Sequence, residues 1–307
     1  MGSYVVRRVL QFIPVWLGVA ILVFSMVHLI PGDPVRAMTG GRPLSAEAVA
    51  RARQALGLDD PLPVQLGRFM WRAVRGDLGT SLQSGRPVAG EFLDRFPSTL
   101  ELALAGLGLG MLAGVVLGVL AAVRQGSSVD RGLLLGSLVF VSVPGFWFGL
   151  MLIYLFSVWL GWLPVGGQGG LRALVMPALT LAVGTAAVLM RLTRASMLEV
   201  LRADYVRTAR AKGLSERVVL YKHALRNALN PVVTVVGLVF GALLGGAFIV
   251  EQVFSRPGVG RLAVQAIFAR DFPMIQGIVL YSSTVFLLTN LLVDLSYALL
   301  DPRIRYR

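Results

Sequence analysis

The chain has 307 residues, of which 56% are hydrophobic and 15% are charged, and its mean hydropathy is +0.73. Soluble domains carry about 25% charged residues, so this composition excludes an ordinary soluble domain and indicates several membrane spans. The formal charge of +13 is better explained by basic cytoplasmic loops than by nucleic-acid binding. The absence of cysteine excludes disulfides, thiolate metal sites and cysteine nucleophiles.

Six stretches of mostly apolar residues are close to the length of about 20 residues that crosses a bilayer as a helix. They comprise residues 9–30, 99–123, 132–160, 173–190, 232–250 and 277–299. The first is too long for the apolar region of a signal peptide, and no small-residue cleavage site follows it, so we expect it to be retained. Gly and Ala recur in these stretches and favour close helix packing inside lipid. The predicted fold class is an all-α membrane protein with six transmembrane helices.

Lys and Arg in the short connecting segments orient the six spans. Counting the two termini and the loops after spans two and four, one side carries sixteen basic residues, whereas the short loops on the other side carry four. Basic residues accumulate on the cytoplasmic side, so both termini are predicted to be cytoplasmic. The predicted organisation is a first span in residues 1–30, an extracytoplasmic segment in residues 31–98, and a core of five spans in residues 99–307, which contains a cytoplasmic loop at residues 191–230.

The extracytoplasmic segment contains several turn signals, including "PGDP" at residues 31–34 and "DDPLP" at residues 59–63. Between them, Leu44–Leu58 has the composition of a short helix, with Ser45 as the N-cap and Gly57 as the stop. We therefore expect a small subdomain on this side of the membrane.

Catalytic motifs are absent from the sequence. A phosphate-binding loop needs Gly-Lys followed by Ser or Thr, but the only lysines, Lys212 and Lys222, follow Ala211 and Tyr221. This chain therefore cannot hydrolyse ATP through such a loop, and we expect it not to be an enzyme. The ionisable residues of the spans lie near span ends and are interpreted as interfacial or packing residues rather than a proton relay: His28, Glu101, Glu251 and Asp294.

The cytoplasmic loop is predicted to form two helices joined by a turn, which we call the elbow (residues 194–230). Its first helix, Arg194–Lys212, has an apolar face with helical spacing, made by Met197, Leu198, Leu201, Tyr205 and Ala209. Gly213 suits the left-handed turn after a helix, and Ser215 can cap the next helix, which continues to Pro231 at the start of span five.

Two functions remain open for the elbow on physical grounds. The loop carries nine basic and three acidic residues, so it could be an amphipathic connector that lies on anionic lipid. Alternatively, it could be a docking site for a soluble partner protein.

The elbow resembles the cytoplasmic coupling motif of binding-protein-dependent ATP-binding cassette (ABC) importer permeases. That motif reads Glu-Ala-Ala, three residues, Gly, nine residues, Ile-x-Leu-Pro, and Ala209, Gly213 and Leu225 match it. The departures are Arg207, Thr208, His223 and Arg226. The version here, "DYVRTARAKGLSERVVLYKHALRNALNP", is very similar to that of the dipeptide, oligopeptide and nickel permeases, as are "HLIPGDP" and "EQVFSRPGVGRL". The long outer segment is similar to that of the B-type subunit.

The resemblance implies a type I importer-like permease in the cytoplasmic membrane of a prokaryote. It implies a second, homologous permease, two ATPase subunits that bind ATP and Mg²⁺, an extracytoplasmic solute-binding protein and a peptide cargo, with no cofactor in this chain. ATPase coupling would fall to Arg207, Ala209, Arg210, Ala211, Lys212, Gly213 and Ser215. Small residues there would permit close approach of the ATPase, and basic ones would favour an acidic rim.

Two further groups are candidates for transport, each with a plainer alternative. Contact with the binding protein or an outer gate, as against a simple turn, is predicted for Glu251, Phe254, Pro257, Gly258 and Gly260. Pathway lining, as against helix packing or a kink at Pro144, is predicted for Pro144, Phe146, Asn290 and Asp294.

The cargo could equally be a nickel chelate, glutathione or another small solute. From different classes, the alternatives are an ion-coupled carrier, a channel and a membrane scaffold.

Overall fold

The computed structural model describes residues 2–29, 45–167 and 170–300. Within these ranges the chain is almost entirely helical, with one isolated bridge between Thr80 and Pro87. In chain order the helices are α1 (Gly2–Leu29), α2 (Ala46–Leu56), α3 (Leu62–Val74), α4 (Val88–Val123), α5 (Ser128–Ser142), α6 (Gly145–Leu152), α7 (Leu171–Leu201), α8 (Asp204–Ala211), α9 (Glu216–Val218), α10 (Arg226–Val253), α11 (Val259–Phe268) and α12 (Phe272–Leu300). Two π-helical segments, Ile153–Trp159 and Val219–Leu225, directly follow α6 and α9.

The prediction of six membrane-spanning stretches is confirmed. In the described part of the chain, five helices are long and apolar enough to cross a bilayer, and the bent pair formed by α5 and α6 makes a sixth if it counts as one span. The helices also extend beyond the predicted apolar stretches, because helix geometry continues into the flanking polar residues. The predicted turn at residues 31–34 lies outside the described residues, as does the tail at residues 301–307.

The third span is broken at Pro144. The helices before and after it are bent by 99° relative to each other. Val143, which precedes the proline, has an extended backbone with ψ of 125°, and Pro144 itself lies at the N-cap of α6. Proline disfavours helical geometry in the residue before it and has no N–H to donate, so α5 ends here. The predicted kink is therefore a complete interruption of the helix.

The helices form two compact units, Met1–Ser98 with Pro257–Arg307 and Thr99–Arg256. In the first unit, the predicted short helix is confirmed as α2, which ends at Leu56 and is followed by Gly57 with a φ of +64°. The core of this unit is apolar and includes Val88, Phe92 and Ile278.

Two acidic residues of the first unit also make polar contacts. The buried carboxylate of Asp271 accepts hydrogen bonds from the Ser81 hydroxyl at 2.5 Å and from the Met274 N–H at 3.2 Å, and so caps α12. At the other end of α12, Asp294 pairs with Arg8 of α1 at 3.2 Å.

In the second unit, α7 is the most buried of the long helices. Four glycines of α4, spaced four residues apart, lie directly against it, and we call them the glycine stripe: Gly106, Gly110, Gly114 and Gly118. A Cβ atom on any of them would lie 2.6–2.7 Å from a Cβ atom of α7. Only glycine permits this separation of the two backbones, so the stripe sets how closely α4 and α7 pack.

Candidate functional site

The first helix of the elbow differs from the prediction of one continuous helix from Arg194 to Lys212. In the structure α7 ends at Leu201, and α8 begins at Asp204 after an extended Ala203 with ψ of 146°. The elbow of the structure is therefore shorter than predicted and comprises α8, the turn at Gly213, α9 and the π-helical segment after it (residues 204–225). This turn changes the helical phase, so the predicted inward residue Tyr205 is exposed and Val206 is fully buried in its place. Asp204 in the first turn of α8 is favourable to the new helix dipole.

The turn at Gly213 confirms the prediction of a left-handed residue after the helix. Gly213 has a φ of +76°, its N–H donates to the Arg210 carbonyl at 2.9 Å, and the Leu214 N–H donates to the Ala209 carbonyl at 3.4 Å. These two hydrogen bonds make a Schellman motif, which satisfies the last carbonyls of α8. Ser215 lies at the predicted N-cap of α9, but its side chain makes no capping hydrogen bond.

The inner face of α8 packs against the end of α7. Val206, Ala209 and Val219 are buried together, with Val200 and Leu201 of α7 beside them. Ala209 is only 6% exposed, so its small side chain serves the packing of α8 within this chain and is not available to a partner. The elbow therefore packs against α7 through a small apolar cluster. Any displacement of α8 would push on α7 through these contacts.

The outer face of the elbow is an uninterrupted exposed run from Arg210 to Val218. Arg210 is held by Glu216, with Nη2–Oε1 at 2.7 Å and Nε–Oε2 at 3.1 Å. This hydrogen-bonded pair raises the pKa of Arg210 and clamps α8 to α9 across the turn. Arg210 is therefore an internal brace of the elbow. Among the other predicted coupling residues, Arg207, Ala211, Lys212 and Gly213 are exposed and can face a partner.

The residues predicted for an outer gate are mostly buried. In the second unit, Glu251 is fully buried and accepts a 2.5 Å hydrogen bond from the Thr99 hydroxyl, and Phe254 is 1% exposed. Phe254 also anchors a loop, because the Gly167 N–H donates to its carbonyl at 3.1 Å. Contact with a binding protein requires exposed atoms, so the burial of both residues argues against that alternative and leaves the gate role as a prediction.

Thr99→Val should destabilise the protein, because it removes a donor from the buried Glu251 carboxylate without changing side-chain shape. The expected loss is about 1–3 kcal/mol in the free energy of unfolding. The measurement is thermal unfolding of the purified protein in detergent. Thr234→Val is the matched control, since its exposed hydroxyl donates to its own helix, to the Asn230 carbonyl at 3.3 Å. Equal stability losses in the two variants would contradict this account of Glu251.

Further along the same stretch, Arg256 of the second unit is paired with Glu101 while its own side chain is 5% exposed. In the first unit, Pro257 is half-buried, and Gly258 and Gly260 are buried around the start of α11. These positions offer little surface to a partner protein, and their gate role stays a prediction.

The predicted pathway residues fall into two groups. Pro144 and Phe146 line a hollow of about 550 Å³ beside the broken third span. A second cavity, of about 270 Å³, lies on α5, α6 and α7 and is lined by Phe140, Phe148 and Gly184, among others. In the first unit, Asp294 is paired with Arg8, whereas the Asn290 Oδ1 atom is buried and has no hydrogen-bond partner among the described residues. Pathway lining stays a prediction for all four residues.

Two features of the second unit were missed by sequence reasoning. The glycine stripe is visible as Gly at every fourth position from 106 to 118, a spacing that predicts a close helix interface. The partly buried ion pair between Asp130 and Arg194 had one local signal, the pattern Ser127-x-x-Asp130, which resembles a helix-capping box.

Two family models match the chain. "Binding-protein-dependent transport system inner membrane component" matches residues 114–306, and the corresponding N-terminal model matches residues 1–103. The glutathione transport system permease protein GsiC of Salmonella paratyphi A is 47% identical over 307 residues, which is 100% of both chains. A putative peptide transport system permease protein of Brucella abortus is 45% identical over 314 residues, again covering 100% of both. The similarity therefore extends over the whole chain.

Two solved structures share the fold. An inward-facing form of the MetNI methionine ABC transporter matches with a TM-score of 0.55 and 20% identity, covering 66% of this chain and 93% of that one. An amino acid ABC transporter crystallised with histidines matches with a TM-score of 0.52 and 20% identity, covering 67% and 92%. At this level of identity, the likeness concerns the helix arrangement alone.

Proposed function

The chain belongs to the family of binding-protein-dependent transport system inner membrane components and is therefore an ABC importer permease, and we propose that its cargo is a di- or oligopeptide. The family consists of inner-membrane components, which supports a division of labour in which the energy for transport would come from another subunit. This membership favours the permease over the self-sufficient carrier, the channel and the scaffold.

The exposed Gly213 turn is the observation that carries the proposal for coupling. A separate cytoplasmic ATPase subunit would receive this turn in a groove, with Arg207 and Lys212 near its acidic rim. Closure of two such ATPases on Mg²⁺ and ATP would displace α8, and the apolar cluster around Val206 would pass the displacement to α7. The helices of the permease would then rock between inward- and outward-open arrangements.

The remaining partners follow from the same proposal. A second, homologous permease would pair with this chain and complete a central pathway. An extracytoplasmic solute-binding protein would deliver the cargo. Both termini would be cytoplasmic, since the side with the elbow carries most of the short-loop Lys and Arg.

A peptide cargo is supported by full-length similarity to relatives whose names include peptide and glutathione transport. Glutathione is itself a tripeptide, so the two names describe one class of chemistry: a short chain with amide groups and charged ends. Within this class, glutathione is the specific second candidate, because the relative with that name is 47% identical over its full length.

Reconstitution tests the proposed cargo. The complete importer, purified from its source with its binding protein and ATPases, is placed in liposomes and supplied with ATP. Uptake of a labelled dipeptide, tripeptide, tetrapeptide and glutathione is measured, with free methionine and a nickel chelate as comparison solutes. We expect ATP-dependent uptake of at least one peptide. Uptake of glutathione alone would select the second candidate. Uptake of only the comparison solutes, or uptake without ATP, would contradict the proposal.

A further inference from the structure

A partly buried ion pair joins two helices of the second unit at the end that carries the elbow. Arg194 of α7 holds Asp130 of α5 through two parallel contacts, Nε–Oδ1 at 2.6 Å and Nη2–Oδ2 at 2.7 Å. Asp130 is 2% exposed. The two residues are 64 positions apart in the sequence, so this contact is made only by the folded helix pair.

The Asp130 carboxylate is also fixed from its own side. The Gly126 N–H donates to Oδ2 at 2.9 Å, and the Asp130 N–H donates to the Ser127 hydroxyl oxygen, which caps α5. The carboxylate therefore connects the turn before α5, the first turn of α5 and the guanidinium of α7. A planar guanidinium fork with two bonds fixes both the separation and the rotation of the two helices, whereas apolar contacts alone would permit sliding.

Arg194 lies on the same uninterrupted helix as the residues that support the elbow. From Arg194, α7 runs two turns to Val200 and Leu201, which contact the buried side chains of Val206 and Val219. Because a helix is stiff over two turns, movement of the elbow displaces Arg194 with it. At the other side of the pair, α5 runs from Asp130 to the break at Pro144.

We propose that Asp130 and Arg194 are positioning residues for transport, forming a strut that passes elbow movement from α7 to the broken third span. The inference rests on the proposed function, since it needs an ATPase that moves the elbow. The pair determines how much of each ATPase cycle becomes helix movement at the break, and so the number of peptides carried per ATP hydrolysed.

The test compares transport and ATP hydrolysis in the same liposomes containing the complete importer. The variants are Asp130→Asn, Arg194→Gln and the double variant, with Arg124→Gln as the matched control. Arg124 is an exposed basic residue on the turn before α5. We expect each single variant to lower peptide carried per ATP by about 2- to 30-fold, the range for residues that transmit coupling, while ATPase assembly and hydrolysis persist. The control should match the wild type.

The double variant shows whether Asp130 and Arg194 act as one pair or independently of each other. If the two residues act as one strut, the double variant loses no more coupling than the worse single variant. If the fold-losses of the two single variants multiply in the double variant, the two residues act independently and not as a pair. If both single variants carry as much peptide per ATP as the wild type, the proposed strut does not exist. If Asp130→Asn and Arg194→Gln fail to reach the membrane, Arg194→Lys is tested in their place. This variant keeps the positive charge but loses the two-bond guanidinium contact with Asp130. Wild-type coupling in Arg194→Lys would also overturn the proposal.

Two results distinguish failure of the proposed ATPase coupling from failure of the strut alone. If the elbow engages no ATPase, then no ATPase co-purifies with the wild-type chain, whatever the state of residues 130 and 194. If the elbow engages an ATPase but the strut is absent, the wild type transports peptide with ATP and the variants do so with equal efficiency.

Discussion

Gly213→Val is expected to abolish ATP-driven transport while the protein remains folded in the membrane. A Cβ at this position meets no atom of the chain within 4 Å, so the substitution creates no internal clash. Its φ of +76° costs a non-glycine residue about 1–2 kcal/mol, which is less than the stability of a typical domain. The larger effect arises outside the chain, because the turn would no longer keep its shape or fit a close-fitting groove. Uptake and membrane content are measured on the same preparation.

Gly161→Val is the matched control for this prediction. Gly161 lies in the same unit and has a φ of +65°, and a Cβ added there would also meet no atom within 4 Å, so the backbone cost is similar. It lies far from the elbow in sequence, beyond the π-helical segment after α6. Transport should survive in this control. Unchanged uptake in Gly213→Val, or an equal loss in both variants, would contradict the role assigned to the elbow.

Gly110→Leu should cause the largest loss of stability of the substitutions considered. A Cβ at Gly110 would lie 2.7 Å from the Thr185 Cβ and 2.9 Å from the Ala182 carbonyl oxygen. The second contact is with backbone, so α4 and α7 would have to separate. Overpacking of this kind costs about 1–3 kcal/mol and occasionally more, and a backbone contact lies at the upper end. Thermal unfolding in detergent and the yield of folded protein are the measurements.

Gly108→Leu provides the control on the same helix. Gly108 lies two residues away, is exposed, and has no atom within 4 Å of a Cβ position. Both substitutions add the same apolar side chain to α4 and remove a glycine, so helix propensity and hydrophobicity are matched. Only Gly110→Leu should lower the unfolding temperature of the protein. If both variants unfolded at the same temperature, the glycine stripe would not set the packing of α4 against α7.

The sequence predicted local backbone structure correctly wherever neighbouring residues decide the conformation. Gly213 follows a helical pattern and precedes a capping position, and these neighbours are enough to predict its left-handed turn. The six spans are likewise set by runs of apolar residues, whose length matches the bilayer. Pro144 predicted a bend because a proline removes a hydrogen bond from any helix that contains it.

Contacts between distant residues could not be predicted in the same way. The turn between α7 and α8 contains no glycine or proline. The spacing of apolar residues therefore predicted one continuous helix with Tyr205 on its buried face. Asp and Arg are both common residue types at the polar ends of spans, and only the packing of α5 on α7 brings Asp130 and Arg194 together. Burial of Glu251 was also hidden, because a mostly apolar chain does not distinguish residues that face protein from residues that face lipid.

The most direct test of the central claim is to find what the elbow touches. The tagged chain, with a photo-crosslinking amino acid at the exposed position of Ala211, is irradiated in its native membranes, purified in mild detergent and analysed by mass spectrometry. We expect a second permease and an ATPase with a phosphate-binding loop to co-purify, with a crosslink from the elbow to that ATPase. Crosslinks to lipid alone, with solute flux through the purified chain in liposomes without ATP, would contradict this expectation.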